Sequence, residues 1–253
     1  MPELPQTNLQ LYALLLRRGW AADDLQSMAK AYDLALSLFA CQVRPSGKPF
    51  ICHLVGSAGA AAVASDEPDV SVASLLHAAY DFARWGDGLE GPAASRRQQL
   101  RTVIGDNAET LVFRYSTLGW EVEAVNELLA RASSLPELDR SVVLMRLANE
   151  ADDMADLGLR LSTKGDEPLH QPHAVAAQVA LARALQLDYL ADLLQAALRE
   201  NEMAEVPAIL RHSERGSYTL APRSDTVHVV LRRALRRLGA YARYRLRVAR
   251  RLL

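Results

Sequence analysis

Apolar residues recur at spacings of three and four along most of this chain, and no run alternates with period two for long enough to make a strand. That periodicity restricts the body to packed helices. Residues 23–43 place Leu25, Met28, Ala29, Tyr32, Leu36 and Phe39 on one side, with Asp23 or Asp24 expected as the N-cap. The alanine-rich runs 49–64 and 69–83 predict two helices separated by the turn sequence SDEPD. A helix over 94–104 should stop at Gly105-Asp106, where a fresh helix begins. Ser134-Leu-Pro-Glu137 has the form of a capping box ahead of a helix reaching about Leu157. Residues 173–200 read as one long helix. The expected organisation is a helical domain over 1–200, a linker over 201–226 rich in helix-breaking residues, and a basic amphipathic helix over 227–253.

Charge sharpens that last boundary. The net charge of −1 conceals nine arginines and no carboxylate in residues 227–253, against 20 basic and 30 acidic side chains in residues 1–226. A body near −10 and a tail of +9 predict a terminal segment that seeks a polyanion. Leu231, Leu235, Leu238 and Ala242 fall on one side of the tail helix and Arg233, Arg237, Arg243 and Arg247 largely on another. Three targets fit: the acidic body itself, an anionic membrane surface, and nucleic acid with Tyr241 and Tyr244 stacking. The membrane surface is favoured, because the apolar face persists over several turns and a nucleic-acid binder usually has a basic body. No stretch approaches the roughly 18 apolar residues of a membrane span, and no basic-then-apolar leader opens the chain. Two cysteines without metal-finger spacing suit a reducing compartment. The expected location is the cytoplasm, with peripheral attachment at the inner face of the membrane.

Chemistry concentrates in RPSGKPFICHLVGSA (44–58), SLLHAAYDF (74–82) and LMRLANEADDMADLGL (144–159). In order, spacing and helical context these segments resemble the hydrolase domain of RelA/SpoT-type alarmone enzymes, members of the HD metal-dependent phosphohydrolase superfamily. There the patterns run R-x-S-G-x-P-[YF]-[IL]-x-H, then L-L-H-D-x-x-E-D, then L-[AS]-D-R-x-H-N-M. The resemblance covers about residues 25–160 and nothing of those enzymes' synthetase domain. It implies an HD-like helical bundle. It also implies a divalent ion, usually manganese, held by two histidines and two aspartates to polarise a pyrophosphate and activate water.

Carried over residue by residue, the histidines are His53 and His77. The two aspartates are replaced by Ala78 and Asn149, and the catalytic Glu-Asp pair by Asp81 and Phe82. Two imidazoles and an amide suit a hard, oxygen-seeking ion poorly, so the ordinary mechanism is expected to fail. A remodelled set stays open. His77 and Asp81 would share a helix face, and Asp152 or Asp153 could swing a carboxylate inward. His53, His77, Asp81 and Asp153, with Asn149 nearby, would then hold a single manganese, zinc or iron ion, with Asp81 as the catalytic group of an active enzyme. The competing expectation is that both histidines are hydrogen-bonded relics.

The loop Arg44-Pro-Ser-Gly-Lys48 carries a separate expectation. In the resembled enzymes the matching arginine packs on a guanine base. Arg44, Ser46 and Lys48 are therefore the candidate ligand-binding residues, with Lys48 meeting phosphate; a rigid turn with no ligand is the alternative. Glu150, Asp152, Asp153 and Asp156 read as a solvated helix face, and His170 and His173 as a surface loop. Taken together, these features predict an all-α, catalytically degenerate HD-like protein binding a nucleotide or phosphorylated metabolite. The alternatives are an active metal-dependent phosphohydrolase on a nucleotide or sugar-nucleotide, and a non-catalytic interaction protein.

Overall fold

Residues 50–64 (FICHLVGSAGAAAVA) are apolar or small around the whole helical circumference, and a helix without a polar face belongs inside a protein. In the computed structural model, which describes residues 3–87, 89, 91–211 and 218–220, they form the central helix α3 (Phe50–Ala64), with every residue from His53 to Ala62 buried. Around it lie α1 (Asn8–Arg17), α2 (Ala22–Phe39), α4 (Pro68–Leu75), α5 (Ala94–Thr117), α6 (Val122–Ala130), α7 (Glu137–Met154), α8 (Gly158–Leu161), α9 (Pro172–Ala184) and α10 (Asp188–Met203). The fold is all-α. The strands β1 (Gln42–Val43) and β2 (Tyr218–Thr219) form one short antiparallel pair, with Gln42 opposite Thr219. The chain divides into two compact units, Met1–Thr219 and Leu220–Leu253, and α1 to α10 belong to the first. The expected basic helix over 227–253 lies outside the described residues.

Helix α3 packs most extensively on α7 and α4. Two glycines set how closely. A β-carbon at Gly56 would lie 1.8 Å from Asp152 Oδ1 on α7, and one at Gly59 would lie 2.2 Å from Pro5 Cγ. At Gly56 the α3 backbone thus gives room to a buried carboxylate. Leu147, Met145 and Met154 of α7 and Leu54 of α3 are almost fully enclosed, so each contributes a full transfer and cavity term to stability, about 2–5 kcal/mol on truncation to alanine.

Several boundaries depart from the sequence expectations. The helix expected over 69–83 ends at Leu75, and residues 76–82 continue as turns closed by Ala79 N–H to Leu76 O (2.9 Å) and Phe82 N–H to Ala78 O (2.9 Å). Helix α2 is preceded by Ala21, with Asp23 and Asp24 in its first turn facing the helix dipole rather than capping it. Ser134 does not cap α7; its hydroxyl donates to Arg131 O (3.1 Å), and Pro136 precedes the helix. A true capping box stands instead at α1, between Thr7 and Gln10. The single helix expected over 173–200 is two. Gln186 takes φ +62°, Leu187 N–H reaches Ala182 O (2.9 Å) and Gln186 N–H reaches Arg183 O (3.0 Å). This paired end reverses the chain without the usual glycine. The break at Gly105 (φ +84°) falls where expected, inside α5.

Candidate functional site

The α3–α7 contact creates the site, because α7 turns a charged stretch toward the core. Asn149 is buried, and so are Glu150, Asp152 and Asp153, which corrects the solvated face expected for those three acids; Asp156 is exposed. Buried carboxylates require partners. Asp152 accepts from Lys48 Nζ at 2.7 and 2.9 Å and from His53 Nδ1 at 2.7 Å. Asp153 is paired with the Arg44 guanidinium, and Lys164 Nζ lies 3.5 Å from its other oxygen. Glu150 is 2.7 Å from His170 Nε2 and also accepts from Trp120 Nε1 and Asn149 Nδ2, both at 3.2 Å.

His170 is thus a buried partner of α7, not a surface residue, whereas His173 is exposed. Its Nδ1 is 2.7 Å from Lys164 O, so both ring nitrogens face acceptors and both must donate. Burial opposes that charge, but the hydrogen bond and charge of Glu150 outweigh it and raise the imidazole pKa. Glu150 is held below the usual range by the same bond, against the opposing effect of its own burial. The pair is ionic. Nothing in the sequence marks His170, since its partner is 20 residues away on another helix.

His53 and His77 are the opposite case. Burial, reinforced by Arg44, depresses His53 despite its acidic neighbours; burial, reinforced by His53, pushes His77 down to about 3. Both rings are neutral. His53 Nδ1–H donates to Asp152 and His77 Nδ1–H to Ser74 O (2.7 Å), which leaves both Nε2 atoms as lone-pair donors. His53 Nε2 is buried with no hydrogen-bond partner. The rings stand 5.3 Å apart, edge to face. A neutral imidazole whose other nitrogen is anchored by a carboxylate or carbonyl is the usual state of a metal-ligating histidine.

Beside these residues opens a cavity of about 650 Å³. Arg44, Phe50, His77, Asp81, Phe82, Tyr115, Trp120, Arg146, Asn149, Glu150, Asp153 and Lys164 are on its wall. His77 and Asp81 both line it, from the 76–82 turns rather than from one helical face. Asp81 stands at the open mouth; the surrounding protein still withdraws enough water to raise its carboxyl pKa, and the charge of Arg146 opposes that rise. The loop 44–48 is a tight turn, with Arg44 N–H to Lys48 O and Gly47 N–H to Arg44 O, each 2.9 Å, and Gly47 at φ +86°. Of its three candidate ligand residues, Arg44 reaches the cavity; Ser46 and Lys48 are not on its wall.

Among the described histidines, cysteines and carboxylates, two groups bring ligand atoms within 4.8 Å of one another: His53 with Asp152 and Asp153, and Glu150 with Asp153 and His170. The candidate set His53, His77, Asp81, Asn149 and Asp153 is therefore only partly gathered, with His53 and Asp153 in one group. The carboxylates of both groups already face side-chain cations. These two gathered groups do not fit the hard divalent ion implied by the motif resemblance, because the donor they leave uncommitted is the neutral His53 Nε2. A softer or borderline ion is compatible with the two imidazoles.

No described helix is long and apolar enough to cross a membrane. Residues 37–119 match a family described as a domain of unknown function (DUF6817). No curated protein matches the chain. A solved structure described as "a metazoan ortholog of SpoT hydrolyzes ppGpp and plays a role in starvation responses" is similar at 16% sequence identity and a TM-score of 0.47. The similarity covers 70% of this chain and 97% of that one.

Proposed function

We propose that this chain is a divergent HD-like protein that binds a nucleotide or another phosphorylated metabolite in the α3–α7 cavity and does not run the metal-dependent hydrolysis of the enzymes its motifs resemble. The observation that carries this reading is the pairing of the buried acids. Asp152 is satisfied by Lys48, Asp153 by Arg44 and Lys164, and Glu150 by His170. Protein cations occupy the positions from which carboxylates would otherwise hold a hard ion. Ala78 and Asn149 stand at the motif positions of the missing aspartates, and Phe82 at one of the catalytic acids.

Ligand binding is supported by the wall of the cavity. Arg44, Arg146 and Lys164 provide cations, and Phe50, Phe82, Tyr115 and Trp120 provide rings. Phe82 is 60% exposed, with its backbone carbonyl accepting from Gln42 Nε2 (3.1 Å), and its ring offers a flat apolar surface that a planar group would cover. Thermal-shift and calorimetric titration of the full chain with guanine, adenine and sugar nucleotides tests the reading. It requires stabilisation by at least one phosphorylated ligand and no phosphate release; an unchanged melting curve across the panel sinks it.

A second reading, an active phosphohydrolase with a remodelled metal site, draws support from the orphaned His53 Nε2 beside His77. Metal analysis of protein purified without chelator separates the two. Less than about a tenth of an equivalent of bound metal excludes the enzyme reading, and a stoichiometric ion with phosphate release replaces the first reading. For the arginine-rich segment 227–253 the reading is peripheral attachment to an anionic membrane surface, supported by its charge and its apolar spacing.

A further inference from the structure

The binding reading leaves one question that the sequence motifs answer differently from the packing: which cation meets the ligand's phosphate. Arg44 and Lys48 are the candidates from the 44–48 loop, yet both are committed. Arg44 pairs with Asp153 and packs 5.4 Å over the Phe50 ring, and Lys48 is bidentate on Asp152, away from the cavity wall. Lys164 is shared between Asp153 (3.5 Å) and Glu167 (3.1 Å).

Arg146 differs. It lies on α7 one turn before Glu150 and lines the cavity, and among the described residues no carboxylate lies within 4.0 Å of its guanidinium. The side chain is nonetheless rigid. One terminal nitrogen, NH2, donates to Tyr115 O (2.6 Å) and Leu118 O (3.2 Å), and the guanidinium stacks 3.8 Å over the Tyr115 ring. Nε is buried without an acceptor, and among the described residues NH1 has none either. A half-buried arginine is ordinarily matched by an anion. Asp81 and Glu121 are the remaining acids on the wall without a protein cation in contact, and both stand at its exposed rim.

We propose that Arg146 is the anion-receiving residue of this cavity, contacting the phosphate of the bound ligand through NH1, the guanidinium nitrogen that the described residues leave without an acceptor. The inference rests on the proposed binding function. It moves the anion contact from the 44–48 loop to α7. Tyr115 and the two carbonyls hold the guanidinium in one preorganised orientation, and a phosphate supplies the acceptor that NH1 lacks.

The probes are inorganic pyrophosphate and GDP, titrated by calorimetry into the full chain, Arg146→Gln and Arg44→Gln. Glutamine keeps a polar amide on a shorter stem and removes the charge. The expected result is at least about a tenfold loss of affinity for both probes in Arg146→Gln. Affinity within about twofold of the native protein, with Arg44→Gln abolishing binding, overturns the inference and leaves the binding reading standing. Failure of both probes to bind the native chain overturns this inference, and the wider nucleotide panel then decides the binding reading by itself. Should Arg146→Gln not fold, phenylglyoxal modification of the native chain, mapped by peptide mass, decides instead. Pyrophosphate should slow modification at Arg146 about fivefold or more, and an unchanged rate there overturns the proposal.

Discussion

Replacing Lys48 by methionine tests whether an internal cation does at this site what a metal ion would otherwise do. The substitution keeps most of the apolar stem and removes one charge. Asp152, whose side chain is fully buried, would lose two charge-assisted contacts at 2.7 and 2.9 Å and keep one from a neutral His53 and a weak 3.4 Å contact from Gln6. Breaking a buried ion pair by deleting one partner costs about 3–5 kcal/mol. The Lys48 side chain is 21% exposed, so water screens part of that loss, and about 2–3 kcal/mol is the expected cost. For a chain of this size that lowers Tm by roughly 5–10 °C.

A second effect follows from the same electrostatics. With the ammonium gone, His53, Asp152 and Asp153 carry an uncompensated negative charge around ligand atoms within 4.8 Å of one another. Manganese should then stabilise Lys48→Met, by about 2.7 kcal/mol at a concentration a hundredfold above its Kd, while leaving the native protein unchanged. Differential scanning calorimetry with and without manganese measures both effects. A variant within about 0.5 kcal/mol of native stability, or an equal manganese response in the two proteins, refutes the idea that Lys48 neutralises the cluster.

Three further outcomes are expected. Because His53 and His77 are held neutral below the ordinary histidine pKa of about 6.5, the unfolded state binds their protons first as pH falls. Stability should therefore decline from about pH 6.5 downward by up to about 1.4 kcal/mol per pH unit for each ring; denaturant melts from pH 7 to 5 measure this slope, and an unchanged slope in His77→Gln would show that His77 does not contribute to it. Gly56→Ala should push Asp152 off α3 and cost about 1–3 kcal/mol or abolish folding, because the new β-carbon would lie 1.8 Å from Asp152 Oδ1; native stability by urea melt contradicts the close approach. Removal of residues 227–253 should abolish co-sedimentation with phosphatidylserine vesicles, and equal pelleting of the full chain and residues 1–226 refutes the membrane role.

Much of the helical body was legible in the periodicity, because a helix burying one face must repeat its apolar residues at that pitch. Boundaries set by backbone reversal were less so. Gln186 adopts a left-handed conformation that its residue type does not announce, and the turns at 76–82 interrupt a run whose composition is as helical as that of its neighbours. At the site, the motif resemblance located His53, His77, Arg44 and the α7 segment, but three features eluded it. Charged residues at 150–153 look solvated in a one-dimensional reading, since their partners Lys48, Arg44 and His170 come from distant segments. His170 has no local signal at all. Arg146 became distinctive only when every neighbouring cation was found paired and it was not.

The sequence by itself determined the all-α class, the split between an acidic body and an arginine-rich end, and the presence of Ala78 and Asn149 where the resembled motifs carry aspartate. These follow from residue type and spacing, which are properties of the chain alone. Only the tertiary structure decided how the buried acids of α7 are balanced. Charge balance in a buried cluster is a property of groups brought within a few ångströms of one another, and here Lys48, Arg44, Lys164 and His170 come from segments separated by up to about 120 residues to meet Glu150, Asp152 and Asp153 of α7.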